Sequence, residues 1–151
     1  MTLAAASPAT SSLPVRALIL SGLIATVWIN ASEVFRYFVF VMPMVRAELA
    51  MVPDVAPMDW GIFAIWGAWD TLLTVMVVVM SWLVAERFGY TVQSALMAGL
   101  ASWLFLFVLF WGAQFNMNLA SPALVLTALP LALLEMLVAS GLVVWGLKRF
   151  A

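Results

Sequence analysis

Four ionisable residues stand inside long apolar stretches of this chain: Glu33, Arg36, Asp70 and Glu135. A charged side chain at the centre of a membrane helix costs about 2.5–3.5 kcal/mol on insertion scales, so four of them facing lipid would cost about 10 kcal/mol. They are therefore expected to face protein, water or one another. Carboxyl groups in such a setting take up and release protons, which is the chemistry of proton-coupled carriers and of acid–base enzymes. Glu33 and Arg36 are three residues apart, a spacing that suits an ion pair on one helix. Three acids with one arginine cannot all be comfortably ionised, and at least one of Asp70 and Glu135 is expected to be protonated near neutral pH.

The surrounding residues fall on the same helix faces. At 100° per residue, Thr26, Asn30, Glu33 and Tyr37 form a stripe about 60° wide, with Arg36 at its border. Gly67, Asp70, Thr74 and Ser81 share a second face, and Ala128, Ala132, Glu135 and Ala139 a third, where small residues allow close helix approach. Trp66 and Trp69 flank Asp70 and could form an aromatic wall for a cation or a flat apolar ligand. The candidate proton- or ligand-binding set is Glu33, Arg36, Asp70, Glu135, Asn30, Tyr37 and Trp66. No residue is assigned as catalytic, and no metal ligand or cofactor is expected. Each feature also has a structural reading: a neutralising Glu33–Arg36 pair, a hydrogen-bonded Asp70 or Glu135, and tryptophans that pack.

The elements that must position these groups follow from composition. Of 151 residues, 67% are hydrophobic and 9% charged, with a mean hydropathy of +1.17. Soluble domains are about 45–50% apolar and about 25% charged, so this is neither a water-soluble domain nor a disordered chain. A net charge of −1 leaves no basic face for nucleic acid. The absence of cysteine excludes disulfides, thiolate nucleophiles and thiolate-bound metals. The absence of histidine removes imidazole ligands and the usual general base. A Gly-rich phosphate loop, HExxH and Gly-x-Ser-x-Gly are also missing, which argues against ATP use, zinc proteolysis and serine hydrolysis.

Residues 1–15 are small, Ser/Thr/Ala-rich and read as a flexible cytoplasmic tail. Residues 16–151 read as one membrane domain with spans at about 17–42, 60–85, 92–112 and 122–147, each near the 20 residues that cross a hydrocarbon core. Backbone pairing within lipid makes each span a helix rather than a barrel strand. The predicted fold is an all-α integral membrane protein, an antiparallel bundle of four transmembrane helices. Asp59 is placed to cap the second helix, and Ser121-Pro122 to open the fourth. Pro43 is expected to disturb or end the first helix, and Pro130 to kink the fourth.

Arg16, Arg87, Lys148 and Arg149 stand on one side against Arg46 on the other. The positive-inside rule then places both termini in the cytoplasm, with the plasma (inner) membrane as the location. A signal-peptide reading of Arg16, Ala17–Ile29 and Asn30-Ala31-Ser32 is disfavoured because apolar character resumes as far as Met42. Trp28, Trp60, Trp82, Trp103, Trp111 and Trp145 lie at or near span ends and read mainly as interfacial anchors. Met42, Met44, Met51, Met58 and Met117 map to the outer side. Thioethers there could bind Cu(I), although methionine also fills irregular space. Phe38-Val39-Phe40-Val41 recurs as Phe105-Leu106-Phe107-Val108, and Glu86-Arg87-Phe88 as Lys148-Arg149-Phe150. These echoes could mark two hairpin repeats of two helices each, but Phe and Val are abundant, and chance is the better reading.

Four short helices with an intramembrane glutamate resemble the plan of small multidrug exporters, and Ala64-Ile65-Trp66-Gly67 resembles their aromatic–glycine segment. Those proteins are shorter and hold their glutamate early in the first helix. In size the chain also resembles DoxX-like and MAPEG-type membrane proteins. No site residue carries over from any of these, and no family is assigned. Three functions fit the sequence. The first is a proton-coupled carrier or exporter of a small solute, working as a homodimer because four helices rarely enclose a pathway alone. The second is an intramembrane isomerase or cyclase acting on a lipid or isoprenoid. The third is an accessory subunit whose polar residues satisfy partner helices. The expected partners are the bilayer, a small-molecule or lipid ligand and a second copy of the chain.

Overall fold

The computed structural model describes residues 14–55 and 57–151. The tail read at residues 1–15 lies, up to residue 13, outside the described residues. The rest is helical, with no strand among the described residues. Four helical spans are long and apolar enough to cross a membrane: α1 (Val15–Glu48), α2 (Trp60–Phe88), α3 (Val92–Asn116) and α4 (Pro122–Phe150). Side-chain oxygens of Asp59, Thr91 and Ser121 accept from the backbone N–H of Ile62, Ser94 and Leu124, capping α2, α3 and α4. Each cap satisfies one of the orphan donors of a helix start. Outward-facing positions such as Val27, Leu72, Leu109 and Leu126 are apolar and exposed, as a lipid-facing surface requires.

Pro43 does not end the first helix, which runs on to Glu48. The reason lies in the preceding turn. Tyr37–Val41 is a π-helical turn, and the Met42 N–H reaches back five residues to the Tyr37 carbonyl. A widened turn makes room for the proline ring and its missing donor, so the chain stays helical. Pro130 likewise sits inside an unbroken α4.

The two sequence echoes coincide with a shared plan. The second π turn covers Leu104–Val108 of α3, the segment that echoes Tyr37–Val41. Each π-bearing span is followed by a 29-residue helix with a side-chain N-cap and a basic–Phe end. The packing repeats too. α1 packs on α2 and α4, α3 packs on α4 and α2, α2 meets α4, and α1 and α3 make no substantial contact. Exchanging the halves, α1 for α3 and α2 for α4, leaves this pattern unchanged.

α4 is the centre of the bundle. Its face bearing Ala128, Ala132, Glu135, Met136, Ala139 and Val143 is fully buried. Small residues let neighbours come close without a hydrophobic drive, since lipid is as apolar as the core. At Gly99 of α3, a Cβ would meet the Leu137 Cα and the Met136 carbonyl oxygen at 3.0 Å. Backbone atoms cannot give way, so Gly99→Val is expected to cost about 1–3 kcal/mol by overpacking. Thermal melting in detergent checks this against Gly112→Ala, where a Cβ meets nothing within 4 Å.

Between α2 and α3, the Tyr90 hydroxyl donates to the Glu86 carboxylate. Burial first, then the Glu86 bond and charge, push Tyr90 from its ordinary 10.0 up to about 12. The folded state therefore holds this proton more tightly. Its contribution to stability is complete below about pH 10 and is lost as pH rises towards 12. In a Tyr37→Phe background, phenolate absorbance is expected to rise with a midpoint near 12. Adding Glu86→Gln should move that midpoint down.

Candidate functional site

α1 carries Glu33 and Arg36 in the turn just before its π segment. Their side chains form an ion pair across the i,i+3 spacing, as the sequence reading expects. Arg36 does more than pair locally. Its Nε lies 3.5 Å from Glu135 Oε2 on α4, and its guanidinium stands 5.0 Å from the centre of the Phe107 ring in the π turn of α3. One cation thus meets a carboxylate of its own helix, a carboxylate of a second and an aromatic face of a third. Such a cation–π contact gains strength when desolvated, and Arg36 is buried.

Glu135 is fully buried. Its Oε2 accepts from Ser32 Oγ at 3.0 Å, and its backbone carbonyl accepts from Trp28 Nε1 at 3.0 Å. Oε1 has no donor, and neither does Arg36 Nε reach an acceptor in hydrogen-bond geometry. Glu33 and Glu135 both approach the Arg36 guanidinium, so two carboxyl groups share one cation.

Asp70 stands on α2. It shares with Glu33 a small cleft of about 60 Å³ lined also by Val34, Tyr37, Phe38, Met58, Phe63 and Trp66. The Tyr37 and Trp66 rings are 6.5 Å apart and tilted by 31°. The cleft opens where α1 leaves α2: the π turn packs on α4 but makes no substantial contact with α2.

The structure thus joins the sequence candidates unevenly. Glu33, Arg36 and Glu135 form one cluster, and Glu33, Asp70, Tyr37 and Trp66 one cleft, with Glu33 common to both. Glu135 does not line the cleft. Asn30 is not joined to either group, since its Nδ2 donates to the Thr26 carbonyl of its own helix. Trp69 is exposed and does not line the cleft.

Trp28 and Trp103 are corrected from interfacial anchors to interhelix ties. Their Nε1 atoms donate to the carbonyls of Glu135 and Leu129, and Trp111 is buried in the core. Sequence reasoning missed Ser32, Trp28 and Phe107. Ser32 stands one turn before Arg36, which was the available signal; nothing local marks Phe107. Among the described residues, no three His, Cys, Asp or Glu side chains gather as a metal site. Comparison with protein-family models, curated proteins and solved structures finds no match.

Proposed function

We propose that this chain is a proton-coupled carrier or exporter of a small solute. Glu135 is the proton-exchanging group, and Glu33 and Asp70 face the solute. The observation that carries this reading is the charge balance: three carboxyls at membrane depth are served by one guanidinium. Two further positive charges are needed for neutrality, because uncompensated charge in this setting is costly. One is a proton between Glu135 and Glu33. The other is a proton in the cleft. Entry of a singly charged solute beside Glu33 draws that carboxylate away from Arg36, which turns fully to Glu135; the Glu135 proton leaves while the cleft keeps its own, so one positive charge replaces another. Mutual exclusion of this kind is what couples the two fluxes.

In this reading the helices run antiparallel, with both termini in the cytoplasm and the loop between α1 and α2 outside, in the plasma (inner) membrane. Two copies form the working unit. The two-half plan supports the reading, since internal repeats are a common way of building carriers. The test uses proteoliposomes holding an internal pH dye, challenged in turn with tetramethylammonium, guanidinium and ethidium. The expected result is that at least one drives proton movement in the wild type and not in Glu135→Gln. Equal traces from wild type, variant and empty vesicles for all three would overturn the carrier reading.

A further inference from the structure

We infer that the cleft between α1 and α2 binds the headgroup of a small methylated ammonium ion, with Glu33 and Asp70 as counter-charges and Tyr37 and Trp66 as ring faces. This rests on the carrier reading for its role in transport but not for binding itself. The lining fixes the class of ligand. Its only charged groups are two carboxylates, and the remaining wall is aromatic or aliphatic with the thioether of Met58. A hard metal cation takes about six or more oxygen ligands, more than two carboxylates and the Tyr37 hydroxyl supply. A methylated ammonium carries its charge on carbon-bound hydrogens and is held by ring faces and a nearby negative charge. Ring centres 6.5 Å apart allow one cation to sit within about 6 Å of both, the range in which the ring quadrupole attracts it. The enclosed space of about 60 Å³ excludes a large dye, and a headgroup would sit partly in the open side of the cleft. The side of the cleft lies among exposed apolar residues such as Phe38 and Phe63, so a substituent on the nitrogen can extend toward lipid.

The second half of the chain supplies an internal control. Aligning Trp60 with Pro122 sets Trp66 opposite Ala128 and Asp70 opposite Ala132. Aligning the π turns sets Glu33 opposite Leu100 and Arg36 opposite Trp103. In that half, Ala128 and Ala132 are fully buried. At the matched positions the second half has Leu100 for Glu33, Ala128 for Trp66 and Ala132 for Asp70. The opening is therefore a property of these particular side chains and not of the helix geometry that both halves share.

Calorimetric titration of the purified full chain with tetramethylammonium chloride, against sodium chloride at equal strength, tests the inference. Saturable heat is expected with the first salt only. Asp70→Asn and Trp66→Leu should each weaken binding roughly tenfold, while Trp66→Phe, which keeps a ring, should stay within about threefold. Trp66 is half exposed, so these variants leave the core intact. Absence of saturable heat, or affinities equal in wild type, Asp70→Asn and Trp66→Leu, would overturn the site. Binding with these variant effects but without proton release would uphold the site and count against the carrier. Proton movement driven by another cation, with no effect of Trp66→Leu, would do the reverse.

Discussion

Arg36→Met is expected to destabilise the bundle by about 3–5 kcal/mol, the scale for breaking a buried ion pair from one side. The variant keeps most of the aliphatic volume but removes the cation that Glu33 and Glu135 share. It also strips the face of Phe107 of its charged partner. Two carboxylates would then lie within the membrane-spanning helices with no counter-charge, and each would have to be protonated or exposed. The loss should be conditional. Arg36→Met combined with Glu33→Gln and Glu135→Gln removes the stranded charges and should recover most of the melting temperature. Thermal melting in detergent, read for the single and triple variants, separates the two causes. If the triple variant melts as low as the single one, packing rather than charge explains the loss.

Glu135→Gln is expected to have the opposite balance: little loss of stability and complete loss of proton exchange. Glutamine keeps the shape, and its carbonyl still accepts from Ser32 Oγ. The Trp28 bond is made to the backbone carbonyl and survives any side chain. What glutamine lacks is a proton that leaves. In proteoliposomes, cation-driven proton movement should fall to the level of empty vesicles, while the variant still melts close to wild type. Proton movement retained at more than about half the wild-type rate would place the exchanging group elsewhere, on Glu33 or Asp70.

The four spans and their caps were legible because hydropathy and terminal residues are local signals. Asp59 and Ser121 cap α2 and α4 where the sequence places them, and Glu33 and Arg36 pair because their spacing is set within one helix. The partner of Glu135 was not legible. In a membrane bundle the lipid-facing surface is as apolar as the core, so periodicity does not say which face meets which helix. The Ser32 and Arg36 contacts to Glu135 arise from the way α1 crosses α4, which no local pattern encodes. Asn30 shows the converse. Its position on the polar stripe of α1 is right, but its amide is satisfied by the turn beneath it. Pro43 was read by its usual effect on an α-helix, and a π turn removes the clash on which that reading depends.

The recurrence of Phe-rich segments carried more than composition could reveal. It took the coincidence of both π turns, the matched capped helices that follow and the exchange-symmetric packing to make the two halves comparable. Their difference is then informative: Glu33, Tyr37, Trp66 and Asp70 line a cleft in one half, and Leu100, Leu104, Ala128 and Ala132 take the corresponding places in the other.

The most direct measurement is infrared difference spectroscopy on wild type and Glu135→Gln in lipid, recorded before and after adding tetramethylammonium. A protonated carboxyl has a C=O stretch distinct from that of carboxylate. Wild type should show such a band that fades as the cation binds, and Glu135→Gln should show no cation-dependent change at that position. A wild-type spectrum with no protonated carboxyl, or with one indifferent to the cation, would contradict a proton shared within the Glu33–Arg36–Glu135 cluster.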